Sequence, residues 1–94
     1  MTVTARRFVV TGRVQGVGFR AFVARSASRL AVRGWVRNRV DGSVEACAEG
    51  VPDAMEAFET ALRTGPSWSR VDSVHSESCT VDDSVAGFEV RSTR

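Results

Sequence analysis

The 94-residue chain has no lysine and no tyrosine, a single histidine, two cysteines and two prolines. Without lysine it cannot hold a nucleotide triphosphate in a Walker-type loop, whose lysine reaches the terminal phosphates. Every basic side chain is an arginine. One histidine, His75, and two cysteines without a CxxC spacing do not make a metal-ligand set, and His75 reads as an ordinary exposed or half-buried residue. Cys47 and Cys79 are too few for a disulfide scaffold and are expected to be reduced thiols. No segment approaches the roughly 18 apolar residues of a membrane span, and the first residues, MTVTARRF, lack the apolar core of a signal peptide. A cytoplasmic protein without membrane contact is the expectation.

What is present suits one folded unit. Apolar residues at 43% and charged residues at 26% are ordinary for a globular chain, and the length suffices for a single core, so residues 1–94 are read as one domain. The net charge of +2 conceals an imbalance. Residues 1–50 carry nine arginines against three acids, and residues 51–94 carry four against eight. An anion would be sought in the first half.

Residues 7–14, RFVVTGRV, are β-branched and aromatic and predict a first strand. Phe19, Phe22, Val23, Ala27 and Leu30 then recur at helical spacing, which predicts a helix from Phe19 to Ala31. Gly34 to Arg39 is a second strand, and the Asp41-Gly42 pair predicts a type I′ turn into Val44–Glu49. Alternation there sends Val44, Ala46 and Ala48 inward and Glu45, Cys47 and Glu49 outward. Pro52 opens a second helix with a capping-box-like Asp53/Glu56 spacing and a buried stripe of Met55, Phe58 and Leu62. Gly65-Pro66 stops it, Val71 to Val81 reads as a fourth strand, and Phe88–Arg91 as an edge piece. The order is β-α-β-β-α-β with a short extra strand. It predicts an α+β, ferredoxin-like split βαβ sandwich, an antiparallel sheet with two helices on one face.

One segment between strand and helix is dense in glycine and arginine: Gly12-Arg13-Val14-Gln15-Gly16-Val17-Gly18-Phe19-Arg20. Gly16-x-Gly18-x-x-Ala21 formally matches a dinucleotide fingerprint. That motif needs an acid about twenty residues on and a parallel sheet, and here a hairpin follows instead. The same residues resemble an RNA-binding signature found on this fold, but the phenylalanines fall at helical spacing and not on a base-stacking strand. An anion cradle remains. Glycines after a strand let successive N–H groups converge, the helix start adds its own, and Arg20 can hold a phosphate by charge-assisted bonds. Alone, such a segment is more often a tight turn beside a solvated arginine.

The blocks GRVQGVGFR, GWVRN, DGSVE, Glu49-Gly50 and the later GPSWSRV resemble the acylphosphatases along essentially the whole chain. The resemblance implies hydrolysis of carboxyl–phosphate anhydrides with no metal and no cofactor. It also implies a phosphate loop at Gln15, Gly16, Val17, Gly18 and Phe19, a substrate-binding Arg20 and a water-orienting Asn38. The expected partners are a small acyl phosphate and inorganic phosphate as product and competitive inhibitor, with no nucleic acid, on a monomer. Neither cysteine precedes an arginine at the Cys-x5-Arg spacing of covalent phosphatases, so water is the expected nucleophile. The competing expectation is a non-catalytic phosphate- or RNA-binding module of the same fold. Trp35 and Trp68 are expected to pack in the core or at its rim. A Cys47–Cys79 disulfide is not expected, because in this fold the first strand separates the third from the fourth.

Overall fold

The computed structural model describes residues 2–94. The elements are β1 (Thr4–Arg13), α1 (Phe19–Arg29), β2 (Arg33–Asn38), β3 (Val44–Gly50), α2 (Pro52–Thr64), β4 (Arg70–Ser78) and β5 (Phe88–Arg91). They form one five-stranded sheet in the order β4-β1-β3-β2-β5, antiparallel except where β5 runs parallel to β2. This is the ferredoxin-like α+β arrangement, closed at one edge by the short extra strand.

The period-two alternation sends Phe8 and Val10 of β1, Val36 of β2, and Val44, Ala46 and Ala48 of β3 to one face. Phe19, Val23 and Ala27 of α1 and Met55, Phe58 and Leu62 of α2 pack against them. Phe58 ties the layers together, with ring centroids 5.8 Å from Phe8 and 5.9 Å from Phe88. Burial of such a ring contributes roughly 1.5–3 kcal/mol.

The helix ends differ in detail from the sequence reading. α1 stops at Arg29 because the chain turns left-handed at Ala31 (φ 57°), with Val32 N–H on the Ala27 carbonyl (2.9 Å) and Ala31 N–H on that of Ser28 (3.3 Å). Those two bonds satisfy carbonyls that the last turn would otherwise leave open. The capping box at α2 does not form. Val51 is the N-cap and Pro52 opens the helix, so Asp53 already lies inside the first turn, where it faces the positive helix end without capping it.

The β2–β3 connection is also not a type I′ turn, since Gly42 (φ 96°) has positive φ and Asp41 does not. The cause is local. Asp41 Oδ1 accepts from the Ser43 N–H (2.9 Å) and hydroxyl (2.6 Å), and Gly42 N–H reaches the Arg39 carbonyl (3.1 Å), which makes a longer loop. Those donors hold the Asp41 carboxyl below its ordinary pKa, the Ser43 hydroxyl most of all.

A larger correction concerns the sheet face away from the helices. Glu45 and Cys47 point there as the alternation requires, yet each is only 4% exposed. Residues 79–87, between β4 and β5, cross this face and bury Val81 and Val85 against Cys47, Ala5 and Trp35. Arg33 holds the crossing through the carbonyls of Asp82 (2.9 Å), Val85 (3.0 Å) and Val81 (3.2 Å).

The crossing also overturns the expectation of two reduced thiols, because Cys47 and Cys79 form a disulfide with Cα atoms 6.9 Å apart. β1 does separate β3 from β4, but Cys79 lies just beyond β4, where the chain turns over β1 and its N–H reaches the Ala5 carbonyl (3.4 Å). The strand order therefore does not limit its reach. Beside the disulfide, Glu45 is held between Arg7 and Arg37. Burial alone would raise the Glu45 pKa, and the two guanidinium partners outweigh it and hold the carboxyl below its usual range.

Candidate active site

β1 delivers the chain to the glycine segment at the end of the sheet where α1 begins. Gly16 (φ 73°) and Gly18 (φ 77°) both adopt left-handed conformations. A side chain at either would meet open space, so glycine is required here by backbone conformation and not by crowding. Gly18 is the N-cap of α1, which has no capping side chain and no acid in its first turn. The first helical bond is Phe22 N–H to the Gly18 carbonyl (3.1 Å), so the N–H groups of Phe19, Arg20 and Ala21 have no partner within the helix. With the dipole behind them, these groups favour an anion.

Gly16, Gly18, Phe19, Arg20 and Asn38 line a single cleft of about 260 Å³, completed by Val14, Ala21 and Val90. Asn38 arrives from β2, on the same side as Val36, because 36 and 38 share a face of the sheet. Arg20 Nη1 donates to the Arg91 carbonyl (3.2 Å), which ties the guanidinium to β5 while its other N–H groups stay open to a ligand. Of the residues lining the cleft, arginine is the only ionisable type.

The remaining two residues of the expected loop lie outside that lining. Val17 is half-buried and packs against the core. The Gln15 side chain turns away, its Nε2 donating to the carbonyls of Arg39 (2.7 Å) and Ser43 (2.9 Å). Sequence reasoning missed Val90 and the Arg91 carbonyl. The first depends on the parallel pairing of β5 with β2, and the second is a backbone atom that no residue type signals.

Among the described residues no three histidine, cysteine, aspartate or glutamate side chains are grouped as a metal site. His75 is exposed on β4. The Trp35 ring, on the covered face, meets the guanidinium groups of Arg37 (4.7 Å) and Arg91 (5.0 Å), whereas Trp68, against expectation, is 81% exposed. No helix among the described residues is long and apolar enough to cross a membrane.

Known proteins resemble this chain in sequence and in fold. The acylphosphatase family model matches residues 6–90. An acylphosphatase of Nitratidesulfovibrio vulgaris (strain DP4) is 58% identical over 69 residues, 73% of this chain and 69% of that protein. One from Salinibacter ruber is 51% identical over 82 residues, 87% of this chain and 86% of that protein. The solved structure of an acylphosphatase from Coxiella burnetii superposes with a TM-score of 0.88 at 37% identity, covering 95% of this chain and 93% of that one. With the matched family spanning both the glycine segment and Asn38, the chain belongs to the acylphosphatase family of hydrolases.

Proposed function

We propose that the chain hydrolyses small acyl phosphates to a carboxylate and inorganic phosphate by direct attack of water on phosphorus. The N–H groups of residues 15–19 and the Arg20 guanidinium hold the phosphoryl group, and Asn38 orients the water. One observation carries this reading: the cleft unites a helix start, an arginine and a carboxamide with no acid, histidine or cysteine.

That inventory suits this bond. The leaving carboxylate has a conjugate acid of pKa roughly 4, so it departs unprotonated and needs no general acid. Charge on the transferring phosphoryl oxygens is met by positioned donors, which suffice for this class of transition state. The Asn38 amide accepts one hydrogen bond from water and donates another, which aims the lone pair without removing the proton. The phosphate oxygens take that proton. Inorganic phosphate fits the same cradle and acts as a competitive inhibitor.

In this reading the protein acts as a monomer without nucleic acid, with Arg7, Arg33 and Arg37 of the sheet paired to carboxylates. A cytoplasmic location is part of this reading, and cytosolic thiols are ordinarily kept reduced. Alkylation of free thiols before lysis therefore decides whether Cys47–Cys79 is formed in place.

The test is benzoyl phosphate hydrolysis in excess EDTA, with Asn38→Ala beside the parent. Turnover that survives the chelator and falls by about 10²-fold in the variant supports the reading, that being the typical cost of a misplaced reactant. Full turnover in Asn38→Ala removes the water-orienting role.

A further inference from the structure

We propose that the Gln15 carboxamide is a positioning residue for hydrolysis, clamping the strand that carries Asn38 against the phosphate cradle. The inference rests on the reading of Asn38 given above and adds to it a residue outside the cleft lining, next to Gly16.

Gln15 Nε2 donates to two carbonyls at once, Arg39 at 2.7 Å and Ser43 at 2.9 Å. These two residues form the neck of the β2–β3 hairpin, where Arg39 N–H itself donates to the Ser43 carbonyl (2.9 Å). The Arg39 carbonyl also accepts from Gly42 N–H (3.1 Å), so each carbonyl uses one lone pair inside the hairpin and one for Gln15. The orientation of the amide follows from chemistry. Its NH2 end has two hydrogens for two acceptors, and a flipped amide would set oxygen against both carbonyls.

This junction joins the two halves of the site. Gln15 is next to Gly16 at the cradle, and Arg39 follows Asn38 directly. Asn38 is fixed along the sheet by its pairing with Val44 and by the Arg94 N–H on its carbonyl (3.0 Å). Across the sheet, Val44 pairs with both Asn38 and Val10, which sets β2 against β1. The Gln15 amide adds the direct tie from the cradle segment to the residue beside Asn38, beyond the end of the paired strands. The backbone conformation of the cradle is set by Gly16 and Gly18, so removing the amide leaves phosphate binding in place and releases the water.

The experiment measures kcat for benzoyl phosphate, Ki for inorganic phosphate and Tm in Gln15→Met, which keeps the length and loses both donors. The shorter Gln15→Asn, which keeps the polarity of the half-buried site, serves if Gln15→Met does not fold. A kcat lowered about 10- to 100-fold is expected, with Ki for phosphate changed by less than about threefold. In an Asn38→Ala background the same substitution should cost no more than about twofold, because it acts through Asn38.

Unchanged kcat in both Gln15 variants overturns the proposal. Equal losses in kcat and phosphate affinity assign Gln15 to the cradle itself and overturn it as well, as does a loss that multiplies undiminished onto that of Asn38→Ala. If Asn38→Ala alone retains full turnover, the reading of Asn38 has failed whatever Gln15 does. The two failures are thereby distinguished.

Discussion

The guanidinium of Arg20 donates to the backbone carbonyl of Arg91 at 3.2 Å, so the one ionisable side chain in the cleft is oriented by the last strand of the sheet. An arginine can do this and still present further N–H groups, because its five donors lie in a fixed plane. A lysine has a single flexible ammonium and cannot match that geometry. Arg20→Ala should lower kcat/KM for benzoyl phosphate by about 10²–10³, the cost of one transition-state donor. Arg20→Lys should recover only a small part. Steady-state kinetics of the two variants check this, and parental activity in Arg20→Lys would show that a point charge is enough.

Acid sensitivity should arise on the opposite face of the sheet. Glu45, with 6% of its side chain exposed, is flanked by Arg7 and Arg37, and its folded pKa is depressed despite burial. A carboxyl with a folded pKa below its unfolded value contributes stability that is fully present above the unfolded pKa, about 4.3. That contribution is lost as pH falls through the folded pKa. Below pH about 4 the Tm of the parent should therefore drop faster than that of Glu45→Gln, while near neutrality Glu45→Gln should be the less stable by about 1–3 kcal/mol. Parallel Tm-against-pH curves would contradict this.

The Cys47–Cys79 disulfide closes a 32-residue separation and fastens the crossing segment to β3. A bond of this span constrains the unfolded chain by about 4 kcal/mol. Reduction should lower Tm by roughly 10 °C or more in a domain of this size. Thermal melts with and without dithiothreitol, beside Cys79→Ala, measure it. Equal melting temperatures, with two thiols titrating in the native protein, would mean that the bond does not form.

The parts of the fold legible in the sequence are those with a period. Phe58 and Leu62 announce a helix stripe, Val44, Ala46 and Ala48 a strand face, and both faced the core as expected. Alternation tells which residues share a face but not whether something covers it. That is why Glu45 and Cys47 were placed correctly and still read as outward-facing. The covering segment, residues 79–87, has no periodicity, and its anchors are mostly backbone carbonyls bound by Arg33. The turn at Asp41-Gly42 departs from type I′ because the Asp41 side chain takes the Ser43 donors and sets a different backbone.

The cleft was legible for a different reason. Gly16, Gly18 and Arg20 lie within one short segment, and Asn38 was joined to them by resemblance to a family. Neither route could show that the Gln15 side chain faces the hairpin neck. That depends on where the backbone carbonyls of Arg39 and Ser43 fall once the sheet is assembled.

Attack of water on phosphorus places the solvent oxygen in the phosphate product. Its most direct test is hydrolysis of benzoyl phosphate by the purified protein in water enriched in oxygen-18, with both products analysed by mass spectrometry. One labelled oxygen in the inorganic phosphate and none in the benzoate are expected. Label in the benzoate would mean attack at the carbonyl carbon, and would contradict the assignment of Arg20 and Asn38 to phosphoryl transfer.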